Sequence, residues 1–270
     1  MKLSSTVLCL VVLVLTACHK NKDVEPDPLD YNNVRIASIT NMPPFIYEGD
    51  RLNAIGNERF SYDNKGRLIG SRLEYQSGTH ATNIYRTTFN WTNNLCTGST
   101  SDSIYSYVTG ADGSKQNEFL TKDMLYNIYE YDMSSTQLKT LYITAFGAYI
   151  TDYSALSFEY DAKGNITRAT GKLFAPGGSP ETNATIIYEY DNHPNPFYAT
   201  YKKYGLILPP LLMYADRISP NNVTKMKVKV SYLEDRDYQF TYEYNKAGYP
   251  VKIVSTLGSE APKITYITYR

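Results

Sequence analysis

From residue 34 onward, apolar and polar positions mostly alternate, with breaks at clusters of turn formers. Arg35-Ile36-Ala37-Ser38-Ile39 alternates with the period of two that puts one side of a strand against a core. The stretch 83–91 is nine residues rich in aromatic and β-branched types, which suit a pleated, half-buried surface. The same reading predicts strands at 59–62, 68–75, 126–131, 138–146, 154–160, 166–174, 185–190, 225–232, 238–244, 251–256 and 264–269. Gly110-Ala111-Asp112-Gly113, Pro176-Gly177-Gly178-Ser179-Pro180 and Gly258-Ser259-Glu260 separate some of them. No segment has the 3.6-residue periodicity of an amphipathic helix longer than a few turns. The expected fold class is all-β.

One phrase recurs along these strands. Its clearest copy is Phe158-Glu159-Tyr160-Asp161-Ala162-Lys163-Gly164-Asn165-Ile166. Two aromatics share one strand face, an Asp and a Gly bracket a turn, and an apolar residue starts the next strand. Copies stand at 60–68 and 242–250, and Tyr188-Glu189-Tyr190-Asp191 and Tyr129-Glu130-Tyr131-Asp132 carry altered turns. An Asp carboxylate can accept from backbone amides two positions on, and Gly supplies the left-handed conformation that closes a short hairpin. The phrase is therefore a hairpin hinge. A calcium loop would need denser carboxylates, and Lys163 stands where a ligand would be wanted.

The last aromatics of successive phrases are about 30 residues apart: Tyr62 to Trp91 is 29, Tyr131 to Tyr160 is 29 and Tyr160 to Tyr190 is 30. Tyr214 to Tyr244 is also 30, with Tyr214 in a decayed copy, while Trp91 to Tyr131 is 40 and implies an insertion. One repeat is one long hairpin. Long hairpins in series predict an antiparallel meander that curls into a large curved sheet or partial barrel.

The pattern stops after Asn195-Pro196-Phe197. An apolar loop follows, with Leu206, Ile207 and Leu208 before Pro209-Pro210 and Leu211, Leu212 and Met213 after it. The double Pro bars a central strand or a helix. Such a loop either packs over the sheet or serves as a partner surface.

The first 33 residues have a different character. Lys2, the apolar run from Val7 to Leu15 and the small residues Thr16 and Ala17 form a secretory signal peptide over 1–17. The run is too short to span a bilayer. Leu15-Thr16-Ala17-Cys18 resembles the lipobox of bacterial lipoproteins, and that resemblance implies lipidation of Cys18 and a membrane partner through the lipid. Residues 18–33 are polar, hold Pro26 and Pro28, and read as a flexible tether. A single repeat-built domain over 34–270 is then expected. Cys9 falls in the removed segment, so Cys96 is the one free thiol expected of the mature chain; it reads as a small buried hydrophobe.

Composition narrows the function classes. Lys plus Arg and Asp plus Glu number 27 each, so no basic excess draws the chain to nucleic acid. Tyr is the outlier at 27 residues, and its ring is expected to pack while its hydroxyl reaches water. The three His residues, His19, His80 and His193, are not at ligand spacing, and the latter two read as exposed turn residues. No phosphate-cradling glycine loop or nucleophile elbow occurs. Glu74, Glu130, Glu159, Glu189 and Glu243 lie on predicted strands; the last four sit between two aromatics, where the solvent face is expected. No catalytic, cofactor-binding or metal residue is assigned, and no cofactor is expected.

The Tyr-Asp-x-x-Gly phrases resemble the tyrosine–aspartate repeats of Rhs-type proteins. A closer resemblance is to a family of Bacteroidota outer-membrane lipoproteins of unknown function, described as having a porin-like fold. It rests on the lipobox, on the stretch 188–197 and on Ser219-Pro220-Asn221-Asn222-Val223-Thr224. It implies a large antiparallel sheet and an outer-membrane address, periplasmic or surface-facing, and brings no catalytic residue. Asp102-Ser103-Ile104 also matches the short glycosylation acceptor of that phylum. Three roles follow as expectations. The first is a non-enzymatic binding or scaffold protein for a glycan or a protein partner. The second is a hydrolase with carboxylates converging in the sheet concavity, and the third is a transmembrane barrel.

Overall fold

The computed structural model describes residues 34–77, 81–132, 134–147, 150–173, 182–204, 215–231 and 234–270. All belong to one compact unit, Tyr31–Arg270. Short strands come first: β1 (Ile36–Ile39), β2 (Phe45–Glu48), β3 (Arg51–Ile55) and β4 (Glu58–Tyr62). Longer ones follow: β5 (Leu68–Ser77), β6 (Ala81–Thr92), β7 (Leu95–Thr109), β8 (Lys115–Asp132), β9 (Gln137–Gly147), β10 (Ile150–Tyr160), β11 (Ile166–Leu173) and β12 (Thr182–Pro194). Two helices, α1 (Pro196–Tyr204) and α2 (Ala215–Ile218), precede β13 (Asn221–Val230), β14 (Arg236–Tyr244), β15 (Pro250–Leu257) and β16 (Lys263–Tyr269). The all-β meander is as the sequence predicts. The strands β2, β3 and β7 escaped the reading, and the insertion implied by the 40-residue interval between Trp91 and Tyr131 is taken up by the length of β7 and β8.

The strands form one 16-stranded antiparallel sheet in which sequence neighbours pair, except that β1 joins β16. This places β1 and β2 at opposite edges of the sheet, yet only residues 40–44 connect them. A link that short spans at most roughly 20 Å. The two edges must therefore lie close together, and the sheet is a nearly closed barrel with one seam between β1 and β2.

The sixteen strands group into eight antiparallel pairs, β2–β3 through β14–β15 plus β16–β1, the last formed by the two ends of the domain. In every pair the register shifts at the same place, next to the last aromatic of the first strand. Tyr160 faces Ile166 while Glu159 faces Arg168, so Thr167 is the extra residue. Each bulge adds local twist, and eight of them at one end of the sheet help it curl. The residues facing the eight aromatics are Ile36, Leu52, Leu68, Cys96, Leu138, Ile166, Val223 and Pro250. All are between 0 and 4% exposed, so they form a buried apolar ring around this end of the barrel. Cys96 is one member, which bears out its reading as a small hydrophobe.

The aromatics complete the ring. Tyr131 donates to the carbonyl of Cys96 at 2.9 Å, Tyr160 to Leu138 at 2.5 Å, Tyr190 to Ile166 at 2.6 Å and Tyr269 to Pro250 at 2.7 Å. Tyr62 donates to Leu52, and Trp91 donates through Nε1 to Leu68 at 2.6 Å. In the seventh pair Tyr242 takes the role, donating to Val223 at 2.5 Å. Each aromatic thus faces an apolar residue in its own pair and latches a carbonyl on the strand to its other side. The expectation that these hydroxyls reach water is corrected: they satisfy the backbone where a bulge has disturbed the ladder. Across the seam the contact differs: the backbone of Ile36 supplies a donor to the Tyr47 oxygen rather than a carbonyl.

The hinges behave as read. Asp63 Oδ1 accepts from the amides of Lys65 and Arg67, and Asp161 Oδ1 from those of Lys163 and Asn165, all at 2.8–2.9 Å. Gly66, Gly164 and Gly248 adopt φ of 78°, 88° and 82°. In that region a side chain costs about 1–2 kcal/mol.

The core lies inside the barrel near the hinges, where Tyr129, Leu141, Leu156, Phe158, Ile186, Tyr188, Met226 and Val228 pack together. The outer face is mixed: Ile69 and Ile128 are exposed beside the buried Leu68 and Tyr129, and charged residues stand among such positions. Lys225, Lys227 and Lys229 alternate with the buried Met226 and Val228 and point outward from β13. Glu130, Glu159, Glu189 and Glu243 are exposed on the same outer face. Glu189 pairs with Lys225 at 2.8 Å, Glu243 with Lys252 at 2.7 Å and Glu159 with Arg168 at 3.7 Å. No helix among the described residues is long and apolar enough to cross a membrane.

Candidate functional site

The regular repeat is interrupted between β12 and β13, and α1 lies at the barrel mouth. Asn195 Oδ1 accepts from the Phe197 amide at 3.0 Å and caps α1, with Pro196 as its first residue. Asn-Pro is a readable helix start that the sequence reading missed. Lys202 and Lys203 occupy the last turn, where the helix dipole favours cations. Tyr204 ends the helix inside the ring: its hydroxyl accepts from the Leu52 amide at 3.0 Å and donates to the Asp50 carbonyl at 3.1 Å. Lys203 Nζ also reaches the Asp50 carbonyl at 3.0 Å. The helix starts beside β12 and ends on the β2–β3 hairpin, so it bars the mouth.

The motif 219–222 returns the chain to the wall. Ser219 Oγ accepts from the Ile166 amide at 3.1 Å, and Asn165 and Asn221 exchange two hydrogen bonds at 2.9 and 3.0 Å. Asn195 Nδ2 donates to the Ser219 carbonyl at 2.9 Å. Asp191 accepts from the Asn222 amide at 3.1 Å and from the Tyr244 hydroxyl. Asn165, Asn195, Ser219, Asn221 and Asn222 are buried and Asp191 and Tyr244 half-buried, and their mutual hydrogen bonds hold the mouth together.

Between α1 and three hinges lies a cleft of about 380 Å³, within the range of about 300–1,000 Å³ usual for ligand sites. Three rings of the latch series, Trp91, Tyr131 and Tyr160, line it from β6, β8 and β10, and Tyr198 and Tyr201 line it from α1. All five are half-buried. Asn94, Ser135, Thr136 and Gln137 give it a hydroxyl and amide rim. Lys163 and Lys202 are the charged residues of the lining, and both are exposed. Asn93, Asn94 and Thr136 hold positive φ at the two hairpin turns, and Asn94 and Thr136 line the cleft.

Burial pushes the Tyr201 phenol up to about 12 and raises Tyr131, Tyr160 and Tyr198 as well. These groups stay protonated at neutral pH, so the rings carry no negative charge there. Burial likewise pushes the Cys96 thiol up to about 11 at the floor of the cleft. A smaller cavity of about 190 Å³ lies inside the wall, among Phe197, Arg217, Met226, Phe240, Ile253 and Thr265.

Other residues singled out in the sequence do not join this cleft. The strand glutamates point outward. His193 is exposed and stacks on Tyr244 at 3.8 Å. Ser103 lies within β7. Cys18, His80, Tyr214 and the apolar loop with Leu206, Ile207, Leu208, Leu211, Leu212 and Met213 fall outside the described residues. No group of three or more metal-ligating side chains gathers among the described residues. One inward carboxylate was missed: Glu58 on β4, two residues before the buried Phe60, has its pKa raised by burial and bonds to Ser71.

No protein-family model and no curated protein matches the chain. Among solved structures it is similar to a porin-like protein from Bacteroides vulgatus ATCC 8482, at 13% identity over 78% of this chain and 92% of that one, with a TM-score of 0.48. It is also similar to a porin-like protein from Bacteroides uniformis ATCC 8492, at 13% identity over 79% and 89% of the two chains and a TM-score of 0.38. A chain in the structure of TcdB2-TccC3-Cdc42 aligns with 83% of this chain over 13% of its own length, at 15% identity and a TM-score of 0.25. Likenesses this distant bring neither ligand nor activity with them.

Proposed function

We propose that the chain is a lipid-anchored cell-envelope protein that binds a saccharide in the mouth cleft and does no chemistry on it. The observation that carries this reading is the convergence of five half-buried rings with a hydroxyl and amide rim in one cleft. Aromatic faces pack on the apolar faces of sugar rings, and the rim groups match sugar hydroxyls. Binding is favoured over hydrolysis because the paired carboxylates a glycosidase needs are not in the lining, and Glu159, Glu189 and Glu243 are held in outer-face ion pairs. A barrel set in lipid would hold Lys225, Lys227 and Lys229 against hydrocarbon, at about 2–4 kcal/mol each near the midplane. The tether and the Leu15-Thr16-Ala17-Cys18 sequence support an outer-membrane anchor instead.

Glycan-array screening followed by calorimetry on the chain from residue 19 tests the binding. At least one saccharide class should bind, and Trp91→Ala should weaken it at least tenfold without unfolding the barrel. Binding of peptides alone, or of nothing, would overturn the reading. For the anchor, Cys18→Ala should move the protein from the membrane fraction to the soluble fraction.

A further inference from the structure

We infer that the saccharide taken by this cleft is anionic, an inference that rests on the saccharide reading above. The chain as a whole is electrically balanced, with 27 residues of each sign. The cleft is not: its lining carries Lys163 and Lys202 and no Asp or Glu. The acidic groups of the same hairpins are turned elsewhere. Asp161 accepts from the amides of Lys163 and Asn165, Asp132 from the amide and hydroxyl of Ser134, and Glu130 and Glu159 sit on the outer face.

The two ammonium groups approach from different supports. Lys163 stands at the tip of the β10–β11 hinge, with Nζ 2.6 Å from Asn192 Oδ1, a neutral acceptor that leaves its charge unbalanced. Lys202 stands on α1, with Nζ 6.0 Å from the Tyr198 ring centroid. A cleft with Lys202 beside the Tyr198 ring, Lys163 on its rim and no carboxylate in its lining favours a sugar bearing a carboxylate, sulfate or phosphate. A half-enclosed site strengthens such an interaction relative to open water. It remains sensitive to salt, because both lysines are exposed.

The test is calorimetry on the chain from residue 19 with a uronic-acid trisaccharide, its carboxyl-reduced neutral counterpart and a sulfated disaccharide. The acidic ligands should bind at least tenfold more tightly than the neutral one, and raising salt from 50 to 300 mM should erode that preference. Lys202→Gln should lower affinity for the acidic ligands several-fold more than for the neutral one, narrowing the preference. Lys202→Arg should retain most of the binding. Lys163→Gln, checked by its melting temperature, should add to the Lys202→Gln effect. The uronate and sulfate arms identify the acid group preferred. Equal affinity for acidic and neutral sugars would overturn the inference and leave the saccharide reading intact. Binding of no saccharide would overturn both.

Discussion

The Tyr190 hydroxyl donates to the carbonyl of Ile166 at 2.6 Å, and Ile166 itself faces Tyr160 across the preceding hinge. One residue is therefore held by the rings of two successive repeats. The same relation carried around the barrel makes the hinge end a continuous belt rather than a row of independent hairpins.

Tyr190→Phe keeps the ring and removes the donor, which leaves the Ile166 carbonyl without that partner. The expected loss is about 1–3 kcal/mol, read as a lower urea midpoint with an unchanged slope. Tyr160→Phe should cost a similar amount. Each variant keeps its ring and removes a bond to a different carbonyl, so the double variant should cost about the sum of the two.

Alkali should unfold the barrel. In the unfolded chain the phenols ionise at their ordinary value of 10.0, whereas in the fold Tyr201 holds its proton up to about 12. Below pH 10 both states are protonated and stability does not depend on this group. Between pH 10 and 12 the unfolded chain releases the proton and the folded chain keeps it, so stability falls as pH rises. Tyr131 and Tyr160 are raised in the same direction and add to the effect. Absorbance of the phenolate and circular dichroism should change together in one steep transition.

Cys96 should resist thiol reagents. Its buried thiol is pushed up to about 11 from an ordinary 9.0 and lies 3.5 Å from the Gly98 carbonyl. Labelling with a maleimide at pH 8 should be negligible in the folded protein and complete in urea.

Two glycines should respond differently to Ala. A Cβ on Gly171 would lie 1.7 Å from the Ala155 carbonyl oxygen, and paired backbone cannot give way. Gly171→Ala should cost about 3 kcal/mol or more. Gly66 has open space around it but a φ of 78°, so Gly66→Ala should cost only about 1–2 kcal/mol. Thermal melts of the two variants would rank them.

The helix across the mouth can be followed through Trp91, the one Trp in the chain and part of the cleft. Asn195→Ala removes the cap of α1 and the bond to the Ser219 carbonyl. A loss of about 1–2 kcal/mol is expected, with a red-shifted Trp91 emission and easier quenching by acrylamide.

The phrase from Phe158 to Ile166 determined a great deal by itself, because its interactions are local. An Asp reaching amides two and four residues on, a Gly at positive φ and two rings on one strand face all act within nine residues. Hinges, strand direction and the outward slots of Glu130, Glu159, Glu189 and Glu243 follow from that, and so does the all-β class. The strands β2, β3 and β7 were less legible: β2 and β3 are only four and five residues long, and β7 is built largely of Ser, Thr and Tyr without alternation. Only the tertiary structure decided where the tyrosine hydroxyls go, because each latch joins a ring to a carbonyl in a different repeat. It also decided the cleft. Trp91, Tyr131 and Tyr160 come from three hairpins, and Tyr198 and Tyr201 from the segment that breaks the pattern. No local rule relates residues that far apart along the chain, and only the curling of the sheet puts them around one space.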